Sequence, residues 1–181
     1  ASVHGLDQAR AMPGVREVFP RTGVGDIVSF PRNNVEKCGN CLAVADNRSD
    51  ACRYAEEAYA AVFLRLKASD PRTESFMNDV SSGFPPSAFE GVPLINEDRM
   101  IDLLIDGYGT LPVPDCLAGY LDTARDWQQR TLRQCLARSL ALEPALAEKL
   151  ANGDKKTRIR YWNALLRGGI QGIVYVYDSD Q

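Results

Sequence analysis

Residues 38–67 read CGNCLAVADNRSDACRYAEEAYAAVFLRLK and decide the fold class. The run 38–45 is short and mostly apolar and ends at the turn residues 46–47, which predicts a strand. Ser49 is a suitable N-cap for a following helix, and Asp50 complements the dipole of its first turn. Apolar residues then recur three and four apart, which predicts an amphipathic helix over 50–67. A strand followed at once by such a helix indicates an α/β (α+β) chain.

The residues before this stretch extend the same sheet. Residues 5–12 have the period of a short helix that ends at Pro13-Gly14. Residues 14–20 alternate apolar and charged side chains, which predicts a strand with one exposed face. We therefore expect a small, mostly antiparallel sheet of residues 14–20, 38–45 and 172–177, packed by the helix at 50–67.

The rest of the chain divides at a segment rich in proline and serine. Proline fixes φ and biases its predecessor against the helix, so residues 69–96 are predicted to be a connector without regular structure. Residues 97–181 are predicted to form a helical module that ends in a strand at 172–177. Four helices are predicted in this module. The first starts near Asn96 and ends at residues 107–109, the second runs from Asp115 to about Leu142, the third follows Glu143-Pro144, and the fourth runs from Asp154 to Gly168-Gly169. The expected organisation is thus 1–68, 69–96 and 97–181.

Charge and hydropathy exclude several classes of protein. The chain has 181 residues, with 21 Lys and Arg, 24 Asp and Glu and a formal net charge of −3, which argues against a nucleic-acid or membrane-surface protein. Its apolar runs are far shorter than the ~20 residues that span a bilayer. No secretory signal precedes the five cysteines, so we expect reduced thiols in the cytoplasm.

Histidine is scarce in this chain. His4 is the only one, so a Ser-His or Cys-His catalytic site, or a histidine metal site, would depend on that residue. This scarcity favours a chain that is not a complete catalyst.

Two cysteines form a C-x-x-C pattern at Cys38 and Cys41. A structural zinc site usually takes four ligands from two such pairs, and the sequence has no second pair. A thioredoxin-like pair would precede a helix, whereas these residues enter a predicted strand. A redox or metal module is therefore kept only as a minor alternative.

A polar loop between the first strands carries the candidate binding residues. Arg21, Arg32, Asn33 and Asn34 lie there, and arginine binds a carboxylate or phosphate through two parallel hydrogen bonds. Loops in this position can reach a neighbouring active site, so these residues are predicted to contact substrate. The alternative is an ordinary exposed turn.

The first third of the chain resembles the C-terminal subdomain of ATP-grasp ligases of the L-amino-acid ligase and carboxylate–amine ligase branch. Gly5-Leu-Asp-Gln-Ala-Arg-Ala-Met-Pro-Gly-Val15 and the following Arg16-Glu-Val-Phe19 are similar to that family's G-L-E-E-A-R-A-L-P-G-V and V-E-V. Gly25-Asp26 resembles its P-G-D-x-V turn. Residues 39–45 resemble x-G-Y-V-I-A-V-G-D, and residues 47–51 resemble D-x-R-E-E-A. The resemblance covers residues 1–68.

This resemblance implies a chemistry whose machinery lies outside the matching segment. ATP-grasp enzymes use ATP and magnesium to convert a carboxylate into an acyl phosphate, which an amine then attacks. Their nucleotide and metal residues precede the segment that resembles this chain. The metal motif E-x-N-x-R is missing, since Ile95-Asn-Glu-Asp-Arg99 has its letters in another order. No catalytic or metal residue is therefore carried over, and ATP and magnesium are expected only for the parent enzyme.

The implied function is that of the C-terminal, non-catalytic portion of an ATP-dependent ligase that forms amide or peptide bonds. It would shape the substrate side or a subunit interface and be inactive alone. The implied partners are an upstream ATP-grasp core and small carboxylate and amine substrates, with a homo-oligomer allowed and neither nucleic acid nor membrane. The alternative is a stand-alone protein-interaction module with no enzymatic activity.

Overall fold

A computed structural model describes residues 2–78, 83–100, 102–104 and 111–181. The chain divides into two compact units, Ala1–Lys67 and Ala68–Gln181, called unit 1 and unit 2 below. Helices and small antiparallel strand pairs are both present, so the predicted mixed α/β class is confirmed. The finer division at 69–96 and 97–181 stays a prediction.

Unit 1 is built from two antiparallel strand pairs and two helices. Strand β2 (Val15–Pro20) pairs with β3 (Gly39–Ala43), with Val18 opposite Cys41, and β1 (Ser2–His4) pairs with β4 (Phe63–Arg65). The strands predicted at 14–20 and 38–45 are thus confirmed as one hairpin. The helices are α1 (Leu6–Arg10), between β1 and β2, and α2 (Arg48–Ala61), between β3 and β4.

Helix α2 is shorter than predicted at its end. Its N-cap is Asn47 rather than Ser49, because the Asn47 side chain accepts from the backbone N–H of Asp50 at 2.9 Å. The helix ends at Ala61 instead of continuing to Lys67, since the following residues form β4 and gain a strand partner in β1. The predicted end was wrong because this partner comes from the far end of the unit.

Small residues form the centre of unit 1. Ala58 and Ala61 of α2 are buried with Ala9 and Val18, so the alanine face of α2 lets it approach the rest of the unit closely. Gly14, which carries part of the family resemblance, has φ +76°, and a Cβ there would overlap the ring of Tyr54. The conformation and the packing at this position both need glycine.

Unit 2 begins with a helix that the sequence analysis missed. Helix α3 (Pro71–Asn78) lies in the predicted connector. The Asp70 carboxylate accepts the backbone N–H groups of Arg72 and Thr73 at 3.0 and 3.3 Å, and Pro71 occupies the first helical position, where proline is favoured. The prediction that 69–96 lacks regular structure is therefore wrong for these residues.

The helix predicted to start near Asn96 is also corrected. Asn96 caps only a 3₁₀ turn, Glu97–Arg99, and is followed by strand β5 (Asp102–Leu104). This strand pairs antiparallel with β6 (Pro112–Pro114), and that pairing takes the place of the expected helix. The predicted helix end at residues 107–109 lies outside the described residues.

The long helix predicted from Asp115 to Leu142 is two elements. A 3₁₀ helix (Asp115–Tyr120) and helix α4 (Leu132–Leu142) are separated by a loop around Asp126. The buried Asp126 carboxylate accepts the backbone N–H groups of Gln128 and Arg130, each at 2.9 Å. Thr131 then starts α4 with a capping box. A side chain that satisfies loop amides gives the backbone an alternative to helical hydrogen bonds.

Unit 2 ends with two further helices, α5 (Leu146–Asn152) and α6 (Lys155–Ser179). As predicted, Asp154 caps α6. The helix was predicted to stop at Gly168-Gly169, and the structure has only an interruption there, at Gly169, which has φ 58° and ψ −145°. Tyr161 donates to the Asp180 carboxylate at 3.0 Å although 19 residues separate them. A straight helix would put such residues about 28 Å apart, so the halves 155–168 and 170–179 lie antiparallel.

The C-terminal strand predicted at 172–177 is therefore wrong, because these residues form the second half of α6. Residues 172–176 are all buried, and a helix that is buried all round is apolar all round, like a buried strand. A Cβ on Gly172 would overlap the carbonyl oxygen of Ala164, which shows how closely the two halves pack.

The break in α6 is closed by backbone from elsewhere in unit 2. At Gly169 the carbonyls of Leu166 and Arg167 turn away from the helix. They accept the backbone N–H groups of Phe89 at 3.0 Å and Ala88 at 2.8 Å. The reversal therefore leaves these buried carbonyls hydrogen-bonded.

Candidate functional site

The polar loop predicted to contact substrate joins β2 to β3 as residues 21–38. At its base the backbone N–H of Arg21 donates to the carbonyl of Cys38 at 2.9 Å, and the Thr22 hydroxyl donates to the same carbonyl at 3.1 Å. Loops longer than about 12–15 residues without regular structure are uncommon in compact domains and are often functional. We call residues 21–38 the hairpin loop.

A turn around Asn33 organises the far side of the hairpin loop. The Asn33 side-chain oxygen accepts the backbone N–H of Val35 at 2.8 Å, and its amide nitrogen donates to Glu36 at 2.9 Å. The backbone N–H of Arg32 donates to the same Glu36 carboxylate at 2.7 Å. The side chain of Asn33 therefore holds the turn, and the predicted contact of this side chain with a substrate stays untested.

The structure brings two of the four predicted residues together directly. The Arg21 guanidinium donates to the backbone carbonyl of Asn34 at 3.3 Å, while Arg32 and Asn33 meet at Glu36 instead. Arg21 is exposed, and no carboxylate among the described residues pairs with it. Its side chain is thus steered by the loop while most of its five N–H donors stay available.

Three aliphatic side chains of the hairpin loop were not singled out from the sequence. Val24 is 73% exposed, Ile27 79% and Val35 76%, and each exceeds the exposure of every other large apolar side chain that the structure describes. Scattered exposed apolar residues are normal on proteins, but three of them on one loop mark a surface suited to contact another molecule. The signal in the sequence was their position among polar and glycine residues.

The C-x-x-C alternative finds no support in the geometry. Residues 39–43 form a strand, and three extended residues separate Cα atoms by about 10 Å, beyond the reach of a disulfide. Burial raises the pKa of the Cys41 thiol, which disfavours a reactive thiolate. Among the described residues no group of three His, Cys, Asp or Glu side chains could hold a metal ion.

Asp126 and Cys135, two buried side chains of unit 2, have a structural role. Asp126 accepts from Nε and Nη2 of Arg130 at 2.8 and 2.6 Å and from the Cys135 thiol at 3.2 Å. Burial is the main cause that raises the pKa of Cys135 far above its usual range. The thiol is therefore a protonated donor that helps to hold the loop before α4.

The remaining sequence features do not form a site. His4 ends β1, is exposed, and its Nε2 lies 2.6 Å from the Ser2 hydroxyl. The first turns of α6 carry a basic run at residues 155–160, in which Arg158 donates to the carbonyl of Leu150 and Arg160 pairs with Asp180. Within the described ranges, no helix has the length and apolar character needed to cross a membrane.

Of three comparisons with known proteins, one gives a match. Neither the curated proteins nor the solved structures contain a significant match to this chain. Residues 1–67, which are unit 1, match the family model of the L-amino acid ligase C-terminal domain 2, and this match confirms the predicted resemblance of residues 1–68 to the C-terminal subdomain of an ATP-grasp ligase.

Proposed function

We propose that this chain is the C-terminal, non-catalytic portion of an ATP-dependent carboxylate–amine ligase. Unit 1 contributes the hairpin loop to the substrate side or to a subunit interface, and the chain alone forms no amide bond. Its partners are an ATP-grasp core, small carboxylate and amine substrates and, where the interface joins subunits, a second copy. We place the protein in the cytoplasm, and the five free cysteines support this location.

The observation that carries this proposal is the match of unit 1 to a ligase domain, together with the exposure of Val24, Ile27 and Val35. The loop that carries them is fixed by hydrogen bonds at its base and at Asn33. A loop that is already ordered loses less conformational entropy when a partner covers it. These features favour a loop that packs on the catalytic body of the ligase.

ATP and magnesium belong to the core in this proposal. The described residues do not fit a magnesium site, since they contain no cluster of three carboxylate, cysteine or histidine side chains. The contribution of this chain is to position the loop and to cover the site.

The test uses the complete gene product that carries this sequence. We expect phosphate release from ATP only when two amino acids are supplied together, and none from residues 1–181 alone. Replacing Val24, Ile27 and Val35 by serine should lower the ligation rate at least about tenfold, because burying one such side chain contributes about 1.5–3 kcal/mol.

The control is Val44→Ser, which removes a half-exposed valine outside the loop and should leave the rate unchanged. Equal losses in the control and in the triple variant would remove the special role of the loop. A complete gene product that never couples ATP turnover to amino acids would contradict the ligase assignment. That outcome favours the alternative of a non-enzymatic interaction module.

A further inference from the structure

Arg21 has no carboxylate partner among the described residues, whereas two other arginines of unit 1 do. Arg10 pairs with Asp7, and Arg53 pairs with Asp50 and Glu57. Arg21 instead donates to one backbone carbonyl at 3.3 Å. Its guanidinium is therefore a steered cation without a bound anion among the described residues.

The backbone holds this side chain at the base of the hairpin loop. The N–H of Arg21 extends the pairing of β2 with β3 by donating to Cys38 at 2.9 Å, so its Cα is fixed at the end of a strand pair. The contact with Asn34 then directs the side chain across the loop. An arginine that is held both at its backbone and at its guanidinium is suited to binding one carboxylate through two parallel hydrogen bonds.

The reaction under the proposed function distinguishes two carboxylates. When two amino acids are joined at the expense of ATP, the carboxylate carbon of the acyl donor forms the new amide bond, and one carboxylate oxygen leaves with the phosphoryl group from ATP as inorganic phosphate. The amine substrate loses a proton from nitrogen and keeps its own carboxylate unchanged. A permanent carboxylate–guanidinium contact is compatible only with the substrate whose carboxylate does not react.

We propose that Arg21 binds the α-carboxylate of the amino acid that supplies the amine. This inference rests on the proposed function and deepens it by giving the loop a defined substrate. Arg21 then selects free amino acids as amine substrates over neutral amines of the same shape. It is a specificity residue and takes no part in proton transfer.

The test measures initial rates of the complete ligase with a free amino acid or its carboxamide as the amine substrate, at saturating ATP and acyl donor. The carboxamide keeps the amine and side chain but lacks the negative charge. Arg21→Ala should raise KM for the free amino acid about 10- to 100-fold, the loss expected for a charge-assisted bidentate contact. The KM for the carboxamide and for ATP should not change, and Arg21→Lys should recover part of the loss.

The matched control is Arg16→Ala, which removes an exposed cation from β2 of the same hairpin and should leave both KM values unchanged. Unfolding curves for each variant show that the fold is retained. The inference is overturned if Arg21→Ala affects both amine substrates equally or affects neither, while the wild type still ligates amino acids. A wild type without ligase activity contradicts the proposed function itself, and the inference with it.

Discussion

Gly169 allows helix α6 to reverse, and replacing it by alanine tests whether this reversal stabilises unit 2. Its backbone angles, φ 58° and ψ −145°, lie in a region that only glycine adopts readily. The reversal allows residues 155–168 and 170–179 to pack antiparallel. Gly169→Ala should therefore destabilise unit 2 as a whole.

The expected loss comes from backbone strain. A Cβ at this position would lie 3.5 Å from the Cβ of Ala88 and 3.9 Å from the Asp126 carboxylate, which are ordinary contact distances. Strain in this region costs about 1–3 kcal/mol, and alanine gains no compensating entropy where the native angles exclude it. We expect a loss of about 2 kcal/mol in the free energy of unfolding.

Tryptophan fluorescence isolates this effect. The chain has two tryptophans, Trp127 and Trp162, and both lie in unit 2. Urea unfolding followed by their emission therefore reports on unit 2 alone. With a slope of about 1–2 kcal/mol per molar urea, the expected loss lowers the unfolding midpoint by about 1–2 M.

The control is Gly119→Ala in the 3₁₀ helix 115–120, where a Cβ would meet nothing within 4 Å. It should stay within about 0.5 kcal/mol of the wild type. An unchanged midpoint for Gly169→Ala would show that alanine adopts these backbone angles without strain, contrary to the expectation. Equal losses in both variants would refute it too, because they would show a general effect of removing glycine.

Three further perturbations follow from features of the two units. Asn47→Ala removes the N-cap of α2 and should cost about 1 kcal/mol, measured as a lower thermal midpoint by circular dichroism. The Arg133 guanidinium lowers the pKa of Asp122. The contribution of this ion pair to the free energy of unfolding is therefore present above the unfolded-state pKa of Asp122, and it is lost as pH falls through the folded-state pKa. Asp122→Asn should therefore flatten the decline of the unfolding midpoint as pH falls into and below the ordinary carboxylate range, and an unchanged decline would contradict this. Iodoacetamide should label the exposed Cys52 in the native protein and the buried Cys135 only after unfolding, as peptide mass spectrometry would show.

The sequence predicted best those elements that depend on neighbouring residues. The hairpin strands and the N-cap of α6 at Asp154 follow from local alternation and capping chemistry. The helix at 172–177 could not be predicted in this way, because Ile173, Val174 and Tyr175 favour strands by intrinsic propensity. Packing against the first half of α6 overrides that preference, and this packing depends on the close approach at Gly172.

For the candidate site, the sequence predicted the loop but not the roles within it. From the sequence, Arg21 and Asn33 were both predicted to contact substrate because both are polar residues of the loop. The structure separates them, since the Asn33 side chain holds a turn and the Arg21 guanidinium reaches across the loop. Nor could composition show that Val24 and Ile27 are exposed, because exposure depends on the path of the backbone.

In the hairpin loop, the residues that maintain its shape are different from those that it displays. Backbone bonds to Cys38 and the turn at Asn33 maintain the shape, whereas Val24, Ile27 and Val35 point largely into solvent. Substitutions at the displayed positions therefore cost little folding stability. A loop of this kind can be diversified, by natural drift or in a designed library, to recognise a new partner without refolding its scaffold.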